Sequence, residues 1–497
     1  MKKLILSITT LIALNTFSQE GQIDSTFALN GIYSQYFSGD VNEAKDVVIQ
    51  SDGKIVIVGN FGTQNESSVS DIGVIRLNSN GTLDTSFGSN GSVIINVNNK
   101  YELANAVALT SDGKILVAGS SDDDIAVYRL NSNGTMDAGF GTNGSSVIVL
   151  NTIDNLFDIK VAADGKFFVA GHAYFSSGSD FLVAKFNING TLDNTFATSA
   201  VVDGVLAVTF NNYDYGKTIE LDASGDVYVT GISFVTGKGY CPAAARINSD
   251  GNSLDVSFAS VGKAVYQINN TANDEVYSSL LLADGSLLLG GLALSGSKSL
   301  VMKLVDGDQD SSFGTDGVMM FNPQSNSINS CVFDMQQQAD GKIVLAGQSN
   351  QTSYYGFSLS RINLDGSLDS SFMIFTDITS GNDVIYGMAF QSDGGIVVAG
   401  KNGNNQFAAA RYFGVENTAS VESMLNDEMV HVYPNPASES ISINVKSPTK
   451  VTISNITGEI FESLLIENKE SIDLSNYKSG LYFVTTENGK TIKIIKD

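Results

Sequence analysis

Residues 51–59 read SDGKIVIVG. The phrase returns as SDGKILVAG at 111–119 and ADGKFFVAG at 163–171. It weakens to ASGDVYVTG at 223–231 and ADGSLLLGG at 283–291, then recovers as ADGKIVLAG at 339–347 and SDGGIVVAG at 392–400. These seven copies recur every 52 to 60 residues, a spacing that marks a repeat architecture. A second phrase, GTLDTSFGSNG at 81–91, interleaves with the first. Its Asp recurs as Asp24, Asp84, Asp137, Asp193, Asp255, Asp310 and Asp369. Two series of seven in register are beyond chance.

Each copy reads as four strands. In the first, DVVIQ and KIVIVG flank Asp52-Gly53, which reads as a two-residue hairpin turn. IGVIRLN follows a variable loop, and the Asp phrase then turns the chain into SVIINV. Short apolar runs bounded by Gly, Asn and Asp are strand signals. Four strands repeated seven times predict an all-β chain folded as a seven-bladed β-propeller, since the rungs of a β-solenoid are far shorter. The ends of the repeat region support closure. It opens with GQIDSTF at 21–27, an Asp phrase without a turn phrase, and closes with FAAARYFG at 407–414, where no Asp phrase follows. The N-terminal segment should therefore complete the last blade and remove an exposed edge. A basic residue ends each third strand, at Arg76, Arg129, Lys185, Arg246, Lys303, Arg361 and Arg411. The repeat Asp follows 7 to 9 residues later in the first six. Each pair is expected to form a hydrogen-bonded ion pair, the seventh joining Arg411 to Asp24 across the closure.

These phrases resemble the delta-60 repeat family of bacterial β-propellers over about residues 21–413, although copy four has lost its Asp-Gly-Lys. The resemblance implies the propeller fold and carries no established enzymatic activity.

Composition narrows the partners. The 497 residues include 28 Lys plus Arg and 53 Asp plus Glu, a net charge of −25. Such a surface repels phosphate backbones, so no nucleic-acid partner is expected. Two Cys and two His exclude a structural zinc site or a disulfide-dense scaffold. Cys241 and Cys331 lie in different repeats and read as separate buried thiols. Residues 1–18, MKKLILSITTLIALNTFS, pair Lys2 and Lys3 with a short apolar core and small residues at Thr16 and Ser18. This reads as a secretory signal peptide cut before Gln19. No other run is long and apolar enough for a transmembrane segment in the mature chain.

The expected domains are the signal peptide at 1–18, the propeller at 19–413, a linker at 414–427 and a C-terminal module at 428–497. That module reads as a small β-sandwich. It resembles the type A C-terminal sorting domain of the Bacteroidetes type IX secretion system. Tyr433, Pro434, Asn435, Pro436 and Ala437 carry the likeness, then Gly458, then Gly480, Leu481, Tyr482 and Phe483, then the basic end. The resemblance implies the type IX machinery as a partner, and passage through the periplasm to the outer-membrane surface or the medium.

Chemistry is sparse. His172 and His431 lack a nucleophile context and are expected at the surface. DGDQDSSFG at 306–314 starts like a calcium loop with Asp306, Asp308 and Asp310, but Gly317 stands where the twelfth-position Glu belongs. No cofactor is expected there. The segments that vary between copies share one face, the face of the two-three loops and blade connections, where binding residues usually sit. They hold Tyr101, Glu102, Tyr174, Phe175, Tyr213, Asp214, Tyr215, Phe234, Tyr240, Asp274, Glu275, Tyr354 and Tyr355. The expected function is a secreted or cell-surface, non-enzymatic module that binds an extracellular glycan or protein. A structural or adhesive protein is the first alternative. A glycosidase or lyase is the second, and it would need two of Glu102, Asp214, Asp274 and Glu275 to converge over the channel, about 5 to 10 Å apart.

Overall fold

The computed structural model describes residues 20–415 and 430–496, apart from 63–69, 98–99, 151–153, 176–177, 199–201, 212, 269–272, 295–296, 324–326, 352, 434–436, 438, 446–447, 456–458, 468, 479 and 487–490. The signal-peptide reading, most of the linker, and Pro434, Asn435, Pro436 and Gly458 of the sorting motif lie outside the described residues.

The Asp-Gly turn starts each blade. Gln50 N–H donates to the Lys54 carbonyl at 2.8 Å, and Gly53 N–H to the Gln50 carbonyl at 2.8 Å. Gly53 has φ +82°, and its six counterparts lie between +79° and +87°. Asp52 stays at negative φ and accepts the Lys54 N–H at 3.1 Å. The connection is therefore a type I turn closed by a left-handed glycine, with a three-residue loop instead of the expected two. A true two-residue turn of that class would force positive φ on the Asp as well.

Among the described residues, seven sheets built on four-strand blades follow one another in the first compact unit, Met1–Glu416. Their inner strands are Val41–Ile49, Glu102–Leu109, Asp154–Val161, Asp214–Leu221, Asp274–Leu281, Ser330–Gln337 and Val384–Phe390. Each inner strand lies against the next, and the seventh against the first. The second strand, Ile55–Gly62 in blade one, is buried along nearly its whole length because blades pack on both of its faces. Blade seven takes its outer strand from the N-terminus. Ile32–Gln35 pairs antiparallel with Gln406–Tyr412, from Ile32 opposite Ala410 to Gln35 opposite Phe407. The ring is closed as expected.

All seven basic–acidic pairs form. The N–O distances are 2.8 Å for Arg76–Asp84 and Arg129–Asp137, 3.7 Å for Lys185–Asp193 and 2.9 Å for Arg246–Asp255. Lys303–Asp310 follows at 3.0 Å and Arg361–Asp369 at 2.8 Å, and Arg411 binds Asp24 across the closure. Most of these cations also lie over an aromatic ring of the same blade, as Arg76 does at 4.5 Å from the Phe87 centroid. The residue after that Phe joins neighbouring blades. Gly88 N–H donates to Asn133, Gly141 to Asn189, and Gly314 to Asp365, at 2.9, 2.8 and 3.0 Å. Ala28 makes the same bond to Asn80 at 2.8 Å, which ties the N-terminal segment to blade one.

The second compact unit, Asn417–Asp497, holds two sheets. One is Val430–Tyr433, Ser440–Val445 and Lys469–Asp473; the other is Ile460–Ile466, Thr449–Asn455, Gly480–Thr486 and Thr491–Lys496. Alternate residues of both, such as Ile441, Ile443, Val451, Ile453 and Val484, share one core, which makes a β-sandwich. Of the sorting-motif residues, Ala437 and Tyr482 are buried in that core, and Leu481 and Phe483, which alternate with it along the strand, are half-buried.

Candidate binding channel

Every inner strand carries a β-bulge at the same place. The ladder skips Lys45, Asn105, Phe157, Lys217, Tyr277, Phe333 and Tyr386, one per blade. A bulge re-aims the side chains around it. Here it sets these residues, all partly exposed, around the central channel. Their side chains lean on one another. The Tyr277 and Phe333 ring centroids are 4.9 Å apart, and Phe333 and Tyr386 are 5.3 Å apart. The Lys45 ammonium sits 4.3 Å from the Tyr386 centroid, and that of Lys217 sits 3.8 Å from the Phe157 centroid. They line a cavity of about 530 Å³, within the usual range of ligand sites.

In blades one, three and six the residue after the bulge is an Asp that caps the strand edges. Asp46 accepts the N–H of Val47 at 2.7 Å and, from the next blade, that of Val107 at 2.8 Å. Asp158 does the same with Ile159 (2.7 Å) and Ile219 (3.0 Å), and Asp334 with Met335 (2.7 Å) and Met388 (2.8 Å). These carboxylates satisfy amides that a free inner edge would leave open. Burial pushes Asp46 up to about 8 and Asp334 to about 7, against those amide bonds, and raises Asp158 too. Burial also lifts Glu220 to about 7, although Lys160 binds it at 3.1 Å.

These shifts set a pH dependence opposite to that of the ring of ion pairs. Asp193 and Asp310 are held at about 2. For Asp193, burial is outweighed by the Thr195 hydroxyl and Lys166; for Asp310, the Ser312 hydroxyl and Lys303 act together. Groups with lowered values stabilise the fold above about pH 4 and lose that contribution as pH falls towards 2. Groups with raised values hold protons that the unfolded chain releases, so their contribution falls as pH rises from about 4 to about 8. The thermal midpoint is expected to peak at mildly acidic pH and decline on both sides. Asp46→Asn should lower the midpoint and flatten the alkaline decline. A midpoint that stays level between pH 5 and 9 contradicts this assignment.

The expected loop residues divide into three groups. Tyr174, Tyr213, Tyr215, Phe234 and Tyr240 come together across blades three and four: Tyr174, Phe234 and Tyr240 on hairpin strands that run further than expected, Tyr215 on the inner strand Asp214–Leu221, and Tyr213 just before it. Tyr215 and Tyr240 centroids are 5.7 Å apart, Phe234 and Tyr240 5.4 Å, Tyr213 and Phe234 6.4 Å, and the Tyr174 and Tyr215 hydroxyls 3.4 Å. His172 joins this patch to the channel ring, 4.8 Å from Tyr215 and 5.5 Å from Phe157. The expectation of a surface histidine there is corrected. His172 is 5% exposed, and burial together with Lys217 holds it down to about 3. The side chain of His431 lies outside the described residues.

The second group is structural. Glu102, Asp214 and Asp274 were expected in loops, but each is the buried first residue of an inner strand. Glu102 accepts the Val97 N–H at 3.1 Å, and Asp214 accepts the Phe210 N–H at 2.6 Å. Asn42 and Asp383 hold Phe37 and Ile378 in the same way, at 2.9 and 2.7 Å. These side chains latch the incoming connection to the blade in blades one, two, four and seven. Burial lifts Glu102 to about 7. Glu275 adjoins Asp274 and binds the Tyr277 hydroxyl. The four carboxylates sit on the inner strands of blades two, four and five, Asp274 and Glu275 as neighbours on one strand.

The third group is scattered. Phe175 packs into the core shared by blades two and three. Tyr101 and Tyr355 make backbone bonds to Asp122 and Asn382, and Tyr354 is exposed. Asp306 and Asp308 stand beside Asp310, which Lys303 binds, and among the described residues no cluster of three or more His, Cys, Asp or Glu could hold a metal ion. Cys241 and Cys331 are free and buried, as expected. No described helix is long and apolar enough to cross a membrane.

Four stretches, 50–87, 110–140, 162–196 and 338–372, match a family described as a domain of unknown function (DUF5122) β-propeller. Residues 431–497 match the secretion system C-terminal sorting domain. The chain thus carries propeller repeats and a sorting domain that directs it through the secretion machinery to the cell surface or the medium. No curated protein matches it. Among solved structures it is similar to PorZ, a surface component of the type-IX secretion system of Porphyromonas gingivalis, with 13% identity over 93% of this chain and TM-score 0.40. It spans 60% of that protein's length. It is also similar to virginiamycin B lyase of Staphylococcus aureus, with 12% identity over 76% of this chain and 98% of that one and TM-score 0.45.

Proposed function

We propose that this exported propeller is a non-catalytic binding module and that its central channel, continued by the aromatic patch on blades three and four, holds an extracellular glycan. The row of Tyr277, Phe333 and Tyr386, whose tilted rings contact one another, with Phe157 on the same open cavity, carries the reading. Rigid aromatic faces with a few placed polar groups are what a ligand site needs. The channel carboxylates favour binding over catalysis. Asp46, Asp158 and Asp334 each spend both oxygens on backbone amides, and Lys160 holds Glu220.

The test is titration of the purified protein with a panel of neutral and acidic oligosaccharides, followed by calorimetry or tyrosine fluorescence. Truncating a central aromatic contact typically costs more than 1 kcal/mol. Tyr386→Ala and Phe333→Ala should therefore each weaken binding about fivefold or more, with no shortening of the ligand during incubation. Ligand cleavage, or binding that ignores both substitutions, refutes the proposal.

A further inference from the structure

Three lysines on the inner strands line the channel, and two are shared with a carboxylate. Lys45 binds Glu43 at 2.5 Å, and Lys160 binds Glu220 at 3.1 Å. Lys217 makes no hydrogen bond or ion pair among the described residues. Its ammonium lies 3.8 Å from the Phe157 centroid, in a chain with 53 carboxylate side chains against 28 basic ones. Carboxylates are in surplus, yet among the described residues none lies within ion-pair distance of this cation. A half-buried charge whose only contact is an aromatic face, with no anion beside it, is expensive to keep. Burial accordingly holds Lys217 down to about 8, with Glu275 pulling the other way. The neighbouring His172 is neutral and supplies no anion. Tyr215, two residues earlier on the same strand, opens the aromatic patch beside it.

We infer that Lys217 anchors an anionic group of the ligand, so that the channel selects an acidic sugar whose ring lies against the neighbouring aromatic faces. This rests on the channel reading above and adds the ligand's charge to it. The anion is a carboxylate or a sulfate ester, either of which an ammonium recognises through charge-assisted hydrogen bonds.

Three probes separate the possibilities: an oligogalacturonide, its carboxyl-reduced galactose counterpart and a sulfated galactan oligomer. At least one acidic probe should bind about tenfold or more tightly than the neutral one. The preference should vanish in Lys217→Met and return in Lys217→Arg, which a purely structural lysine would not produce. Which acidic probe wins identifies the anion. Equal binding of neutral and acidic probes, or a preference that survives Lys217→Met, overturns the inference and leaves the channel reading standing. If none of the three binds, the inference falls, and the wider oligosaccharide panel decides the channel reading by itself.

Discussion

Removing residues 20–35 should abolish cooperative folding of the propeller. This short segment carries four separate connections. Ile32–Gln35 supplies the outer strand of blade seven. Phe27 is fully buried among Leu77, Phe407 and Ala409. Asp24 binds Arg411, whose side chain is largely buried. Ala28 reaches across to the Asn80 carbonyl of blade one. Losing a buried Phe costs about 3–5 kcal/mol, and losing the Asp24 arm of the Arg411 ion pair adds to that, with Asp393 left as its remaining carboxylate. The sum rivals the about 5–15 kcal/mol that a typical domain has in total. The truncated chain would also bare the edge of Gln406–Tyr412, whose Phe-Ala-Ala-Ala run invites aggregation. Thermal unfolding and sedimentation of the truncated and full chains decide the matter. Phe27→Ala provides a folded intermediate case, with a lowered midpoint and a single transition. A truncated chain that unfolds at the same midpoint with the same cooperativity would mean that the ring does not depend on its closure.

What could be read in advance, and what could not, follows from how the repeat is built. The turns, blade order, ion pairs and closure were legible because each rests on residue types that recur at nearly fixed spacing. The channel was not. Sequence reasoning assigns strand faces by strict alternation, and a bulge advances that alternation by one residue. Beyond Lys45, Phe157 or Tyr277, the period-two pattern therefore points the wrong way. The signal was nonetheless present as spacing. The bulged residue lies seven positions before the first turn residue in every copy, as in 45 before 52 and 386 before 393. The latch lies ten positions before it, as in 42 before 52 and 383 before 393. Because the latch is variously Asn, Glu and Asp, it read as loop variation, and Glu102 and Asp214 became candidate site residues instead of structural ones.

The glycine that ends the turn phrase links the repeat to the channel, and Gly231→Ala should show it. A Cβ at Gly231 would lie 2.0 Å from the Tyr215 carbonyl oxygen; at Gly171 it would lie 1.8 Å from that of Asn155, and at Gly59 2.0 Å from that of Glu43. Gly119, Gly291, Gly347 and Gly400 meet the same carbonyl of their own inner strands at 1.8 to 2.0 Å. Their backbone angles are ones any residue can adopt, so the requirement is for space. The glycine faces the residue just before the bulge, where the inner strand crowds the second strand. A methyl group there must push the inner strand away, at a cost of about 3 kcal/mol or more. The turn glycines make a contrast. Gly113 has φ +79° and nothing within 4 Å of its added Cβ, so Gly113→Ala bears only the left-handed backbone cost of about 1 kcal/mol. Chemical denaturation of the two variants should therefore separate them by a factor of about three in lost stability. The strand glycine should also affect binding while the turn glycine does not, because Tyr215 and Lys217 ride on the displaced segment. Equal losses from the two substitutions would show that the bulge does not need the glycine. A destabilised Gly231→Ala that still binds with unchanged affinity would show that the displaced strand is not part of the site.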